Sequence, residues 1–443
     1  MPKYGEALNA LLGLNKKAVA INTIIIANAF IWYSYGFNYL LTAIKSANFD
    51  ILPIIEIHFL GLFLALILGQ LFSGKIKNKL TFLQLWIFTG VFLSLLPLIT
   101  GTNYIGILIF SIIVGANFGF GIPTCLSYFS FTTEPRNRGK LGGILFLVIG
   151  AGGFLISTIA IGSYIMVALI LAIWRSTGLL FLLLLKPEKH LAPERQMHYK
   201  DILTNRSFLL YFIPWVMFLI VNSLSFPVIG NKFNADLVTF SGHLEFVLIG
   251  ISGVFFGFLV DLKGRKRLVV IGAAMLGFGY AILAFTGNIY GWWIYTFIDG
   301  ITWGIFVMLF IFTIWGDLAE GRNSEKIYAI GLMPYLFSTL IRYSLGPYLT
   351  NAFADSGFAT IFSFFSFFLF IAVFPLVFAP ETLPEQIIKD NDVQSYIKKA
   401  QKQVDKGRVK NSDKKYNQSS NKSKQEEQEE YEKARELAEK YYK

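Results

Sequence analysis

One cysteine, Cys125, stands in 443 residues, and only four histidines accompany it. A single thiol excludes a disulfide framework within the chain. No cysteine or histidine cluster has the spacing of metal ligands. Charge is also scarce, with Asp, Glu, Lys and Arg making up 15% of the residues. A soluble domain carries about 25% charged residues to cover its surface. No G-x-x-x-x-G-K-[ST] loop is present to cradle a nucleotide phosphate, so ATP-driven work would need a separate subunit. No nucleophile, base and orienting group fall together at catalytic spacing, which argues against an enzyme. A cleavable signal peptide is not evident, because the first apolar run, from Ala18, is too long and too aromatic. None of these features implies a cofactor.

What fills the space is apolar. Hydrophobic residues make up 54% of the chain, and phenylalanine alone supplies 44. A membrane-spanning helix needs about 20 mostly apolar residues. Twelve such runs lie at 18–43, 52–72, 80–99, 104–131, 140–161, 164–185, 208–230, 244–260, 268–286, 290–316, 327–350 and 357–379. We number them span 1 to span 12. They predict an all-α integral membrane protein with an N-terminal six-helix bundle at 1–186 and an inter-bundle linker at 187–207. A C-terminal bundle at 208–380 and a charged tail at 381–443 complete the chain.

The net charge of +11 would suggest nucleic acid on a soluble protein. Its distribution points to a bilayer instead. With the N-terminus in the cytoplasm, the inner segments carry twenty Lys and Arg residues and the outer loops two, Lys45 and Lys232. A wrong span count would scramble this alternation. The expected setting is the plasma membrane, with both termini cytoplasmic, lipid as the solvent, and no nucleic-acid partner. The tail reads as a solvated segment whose end, from Glu426, favours helix.

The two halves repeat each other. Gly69 to Leu80, GQLFSGKIKNKL, aligns without a gap on Gly257 to Leu268, GFLVDLKGRKRL. Glu134-Pro-Arg136-Asn137 matches Glu320-Gly-Arg322-Asn323, again about 186 residues on. Six spans therefore look duplicated in parallel orientation, an arrangement that sets a transporter's site between the halves.

At this point a family resemblance is specific. Gly257-x-Leu259-x-Asp261-x-x-Gly264-Arg265-Lys266 resembles the loop signature of the major facilitator superfamily and falls between spans 8 and 9. Glu134 to Gly139 is similar to that family's Glu…Arg-Gly motif after helix 4. Pro380-Glu381-Thr382 is similar to the ending of its sugar and organic-ion branches. The first half departs from the pattern, with Ser73 in place of the aspartate. The resemblance implies twelve helices in two pseudo-symmetric six-helix bundles. It implies alternating-access transport of a small organic solute, coupled to protons, by a protein expected to be a monomer. Uptake of a polar metabolite leads, export of amphipathic compounds follows, and a transport-inactive sensor is the third reading.

The resemblance also implies roles for residues. Gly257, Asp261, Gly264, Arg265 and Lys266 would form a cytoplasmic gate, with Asp261 accepting hydrogen bonds from the N-terminus of span 5. Such a contact contributes about 0.3–2 kcal/mol. The Ser73 half is expected to latch more weakly. Spans 1, 4, 7 and 10 would line the cavity. Their polar residues recur at helical spacing: Asn28, Trp32, Tyr35 and Tyr39; Asn117, Gly121, Thr124 and Tyr128; Trp215, Asn222 and Ser225; Asp299, Thr302 and Trp303. Asp299 is the expected proton carrier, since an ionisable group inside the membrane is costly. Arg342 could pair with it, hold a substrate carboxylate, or snorkel outward. Arg175, in span 6, reads as a structural partner. Glu56, His58 and Glu245 read as lying near outer helix ends.

Overall fold

A computed structural model describes residues 16–73, 78–157, 164–185, 197–319, 321–352, 357–414 and 423–442. The first six spans are α1 (Lys16–Ser46), α2 (Ile51–Ser73), α3 (Lys79–Ser94) continued by α4 (Leu96–Thr100), α5 (Tyr104–Thr132), α6 (Pro135–Ser157) and α7 (Tyr164–Leu185). A short α8 (Tyr199–Leu203) precedes the second set. That set is α9 (Arg206–Lys232), α10 (Ala235–Lys263), α11 (Arg265–Thr286), α12 (Ile289–Phe306), α14 (Glu325–Ala352) and α15 (Phe358–Phe378). Beyond α12 the same span runs on as a π-helical segment, Val307–Thr313, and then α13 (Ile314–Leu318). The tail forms α16 (Glu385–Lys414) and α17 (Ser423–Tyr442).

Among the described residues, ten of these helices are long and apolar enough to cross a membrane. The other two expected spans are α6 and α14, with 23 and 28 residues. They are the more polar of the set because both open on the charged loops of one membrane face. The expected spans agree with the helices to within a few residues, with two extensions. Helix α6 begins at Pro135, five residues before the expected 140. Helix α10 begins at Ala235, nine before the expected 244. There the Asn234 side chain accepts from the Asp236 N–H and starts the helix among polar residues that hydropathy passes over.

Asparagine caps recur. Asn78, Asn103, Asn205 and Asn288 each accept from N–H groups of the following first turn. Each satisfies donors that the helix itself leaves open. Gly264 ends α10 at φ +92° and lets α11 start at once; an L side chain rarely adopts that conformation.

The same neighbour pairs recur in each half. Helix α2 packs on α5 as α10 packs on α12, α1 on α6 as α9 on α14, and α3 on α7 as α11 on α15. The halves meet along two seams, α2 with α14 and α6 with α10. Both seams are tight. A Cβ on Gly139 would meet the Gly257 carbonyl oxygen at 2.6 Å, and one on Gly143 would meet the Gly253 oxygen at the same distance. On the other seam, the Phe63 and Phe337 rings stack at 3.8 Å. Lys16 and Phe378, where α1 starts and α15 ends, lie on one membrane face, which also bears most of the cations. We call it the basic face.

Candidate functional site

Polar contacts between the halves gather on the basic face. Asp261, 1% exposed, accepts from the backbone N–H of Gly139 at 2.9 Å and of Lys140 at 2.8 Å. These donors belong to the first turns of α6, where the helix dipole also favours a negative charge. Arg265 pairs with Asp261 at 3.0 Å and with Asp317 at 3.1 Å, and donates to the Pro135 carbonyl at 2.6 Å. Arg138 from α6 pairs with the same Asp317. Asp317 thus lies between two guanidinium groups, one from each half. Glu381 accepts from the N–H groups of Arg265 and Lys266 at the start of α11. Gly264 sits against that carboxylate, leaving no room for a side chain.

The Ser73 half is built differently. The Ser73 hydroxyl donates to Glu325 at 2.5 Å, and Lys79 pairs with Glu325 at 2.7 Å. Glu325 opens α14, the helix related to α6 by the repeat. The acid missing from position 73 is therefore supplied by the opposing helix, and a buried ion pair stands where a weaker latch is expected. Serines complete the contact: Ser130 with Ser324 at 2.7 Å and Ser324 with Ser127 at 2.9 Å. Tyr199 of α8 donates to Gln70 at 2.6 Å. Burial pushes the Tyr199 pKa above its ordinary 10.0, so it remains a donor at neutral pH.

Deeper in the molecule, the stripes of α1 and α5 face inside their own half. Asn28 donates to the Trp174 carbonyl at 2.7 Å and accepts from Arg175 at 2.8 Å. Trp32 donates to Ser94 at 2.8 Å, and Tyr39 sets its ring edge against Phe110. Arg175 lies over the rings of Trp32 and Trp86, at 5.0 and 4.5 Å. Asn117 turns toward Thr89 of α3, while Tyr35, Thr124 and Tyr128 are buried. The half-buried residues of α1 include the aromatics Phe30, Tyr33 and Phe37. His58, read from the sequence as lying near an outer helix end, is enclosed by protein. It is fully buried, with Tyr33 Oη 3.1 Å from Nε2 and the Ser111 carbonyl 2.8 Å from Nδ1.

The second half carries the other polar cluster. Asp299 is 3% exposed, and its Oδ1 has no hydrogen-bond partner. Its carboxyl adjoins that of Glu245. The early start of α10 puts Glu245 ten residues into that helix, which corrects the expectation of a position near its end. Arg342 of α14 feels the charge of Glu245 and lies over the Phe226 ring at 4.2 Å, with its Nε unpartnered. Nearby, Ser225 meets the Tyr280 hydroxyl at 2.8 Å, and Tyr295 donates to Tyr280 at 3.3 Å. Thr302 is buried without a partner for its hydroxyl. Trp215 donates to the Gly331 carbonyl at 3.0 Å, while Asn222 and Trp303 are half-buried.

A cavity of about 220 Å³ opens between α9 and α14. Its wall is Phe212, Val216, Leu219 and Ile220 from one helix and Met333, Pro334, Phe337 and Ile341 from the other. None of these side chains offers a hydrogen-bond donor. Among the described residues, no cluster of His, Cys, Asp and Glu is arranged to hold a metal ion.

Residues 18–314 match the family model of the major facilitator superfamily, which is two thirds of the chain. The chain belongs to the major facilitator superfamily. No curated protein matches it significantly. Among solved structures, the Escherichia coli fucose:proton symporter FucP is similar at TM-score 0.63 and 13% identity, over 82% of this chain and 98% of that one. The proton:xylose symporter XylE is similar at TM-score 0.58 and 16% identity, covering 83% and 97%. The human organic anion transporter MFSD10 is similar at TM-score 0.56 and 12% identity, covering 82% and 99%. At such identities the likeness speaks for the fold.

Membership makes this major facilitator protein a membrane transporter and not an enzyme. Sequence reasoning missed Asp317, Glu325 and the contact of Glu245 with Asp299. The signal for the first two lay in the sequence, as acids at 317 and 325 flanking a loop between spans where cations dominate elsewhere.

Proposed function

We propose that this protein is a secondary active transporter that moves a small organic solute across the plasma membrane by alternating access, driven by a proton gradient. The observation that carries the proposal is the adjoining Asp299 and Glu245 carboxyls, set inside the membrane beside Arg342. Two carboxyls in one buried site share a proton more readily than they hold two negative charges. One proton taken up from the outer side and released to the cytoplasm would do the coupling. The network around Asp261, Asp317 and Glu325 would act as the cytoplasmic gate, closed here and parted in the other state. Its components are individually modest, roughly 1 kcal/mol each for a net hydrogen bond. Together they bias the two states without locking one.

A polar metabolite, as fucose is for FucP and xylose for XylE, would use the polar groups at the Arg342 end. Export of amphipathic compounds is the second reading, and the apolar wall of the cavity favours it. The test is solute-driven proton movement in proteoliposomes carrying a pH-sensitive dye. Wild-type protein should acidify the lumen when its solute is added outside. Asp299→Asn should exchange labelled solute across the membrane yet lose accumulation against a gradient. Undiminished accumulation by that variant would remove Asp299 from the mechanism.

A further inference from the structure

Arg342 has no ion pair or hydrogen bond among the described residues, although it is half-buried in a membrane span. An unpaired guanidinium in that setting is costly and marks a ligand path. It rests on Phe226, on the side of α9 that also bears Leu219 and Phe212. Ile341, the residue before it, lines the cavity itself. A cation therefore stands at the edge of a wall that has no polar side chain. The structure offers one charge and one apolar cavity on the same pair of helices, α9 and α14.

From this we infer that the solute is an amphipathic organic monoanion, its carboxylate docked on Arg342 and its apolar body against α9 and α14. The inference rests on the transport reading above and narrows it. A guanidinium grips a carboxylate through two parallel N–H donors, which fixes orientation as well as charge. The groups facing Arg342 are Glu245 from α10, Tyr280 from α11, and Tyr335 and Tyr343 from its own helix. Those facing Glu245 and Asp299 are each other, Arg342, Tyr280 and Tyr295. Glu245 is the carboxylate whose charge competes with an incoming anion. A proton shared by the Glu245–Asp299 pair halves its negative charge and so weakens that competitor, and proton and anion each strengthen the other's binding. One anion crosses with one proton, and the cycle carries no net charge.

The probes are phenylbutyrate, phenylbutanol and phenylbutylamine, which share one apolar body and differ in charge. Full-length protein in non-ionic detergent is melted with each at acidic and at neutral pH. Phenylbutyrate should raise the melting temperature, more so at acidic pH, and the amine should not. Arg342→Gln should raise the Kd for phenylbutyrate about tenfold or more, with Arg342→Lys recovering part of it. Glu245→Gln, which imitates the protonated acid, should keep the affinity and lose the pH dependence. If Arg342→Gln does not fold, the three probes on wild type and on Glu245→Gln decide. Equal stabilisation by amine or alcohol, or affinity unaltered in Arg342→Gln, overturns the inference. Proton flux driven by fucose or xylose, with no response to phenylbutyrate, also overturns it but leaves the transport reading standing. Well-folded protein that moves protons with neither class fails the transport reading itself.

Discussion

Asp317 holds Arg138 from one half and Arg265 from the other, and all three side chains are nearly free of solvent. Removing one partner of a buried pair leaves the rest uncompensated, at a cost of about 3–5 kcal/mol. Asp317→Asn retains the shape but leaves two cations facing a neutral group. It should lower the melting temperature by several degrees and admit thiol reagents to cysteines introduced on the basic face. A wild-type melt in that variant would mean the pair is already broken in solution. At this scale the sequence was legible where a motif names a geometry. Asp261 reaches the turn of α6 that the loop signature implies, through the Gly139 and Lys140 N–H groups. It was not legible where periodicity had to choose a direction. Asn28, Trp32 and Tyr39 do lie on one face of α1, but that face meets α3, α5 and α7. In a soluble helix the polar side points to water. In a bilayer lipid is as apolar as a core, so a polar stripe satisfies itself inside its own bundle equally well.

At the level of elements, the seam of α6 and α10 depends on glycine. Gly257 and Gly139 approach so closely that either Cβ would overlap the other's carbonyl oxygen. Gly257→Ala should push the seam apart and shift the protein toward the state open on the basic face. A cysteine introduced there, in a Cys125→Ser background, should react several-fold faster in the glycine variant. Equal labelling would show that the seam yields without opening. The span built from α12 and α13 has its own discontinuity. Asp299 and Asp317 stand at either side of the π-helical stretch Val307–Thr313, which packs against Gly142 of α6. Such stretches gather at functional sites because their wide turns reorganise at low cost. This one lies between the Asp299 cluster and the basic-face network on a single span. Hydropathy read the span as one continuous run, since a wide turn leaves no mark on composition.

Over the whole molecule, twelve spans, their order and their doubling were all readable from run lengths, alternating charge and a repeat of about 187 residues. What escaped was the pairing between halves, because partners such as Ser73 and Glu325 lie 252 positions apart. Among the described residues, the tail touches the basic-face network near its start, through Glu381 on the Arg265 and Lys266 N–H groups, Asn391 on the Asp261 carbonyl and Asp390 near Arg136. Deleting 423–443 should therefore leave solute-driven proton flux at the wild-type level. Flux lost on that deletion, with folding intact, would favour a sensing role for the tail.

The two seams also sort charge by half. Among the described residues of the two bundles, Asp261, Asp317 and Glu325, the carboxylates that reach across, all belong to the C-terminal half. Lys79, Arg138 and the Gly139 and Lys140 N–H groups that meet them all belong to the N-terminal half. The duplicated units are thus no longer interchangeable. A pair of N-terminal halves would bring cation to cation, and a pair of C-terminal halves acid to acid. Each half has become a partner for its sibling and a poor match for its own kind, so the fused chain assembles like an obligate heterodimer whose subunits share one ancestor.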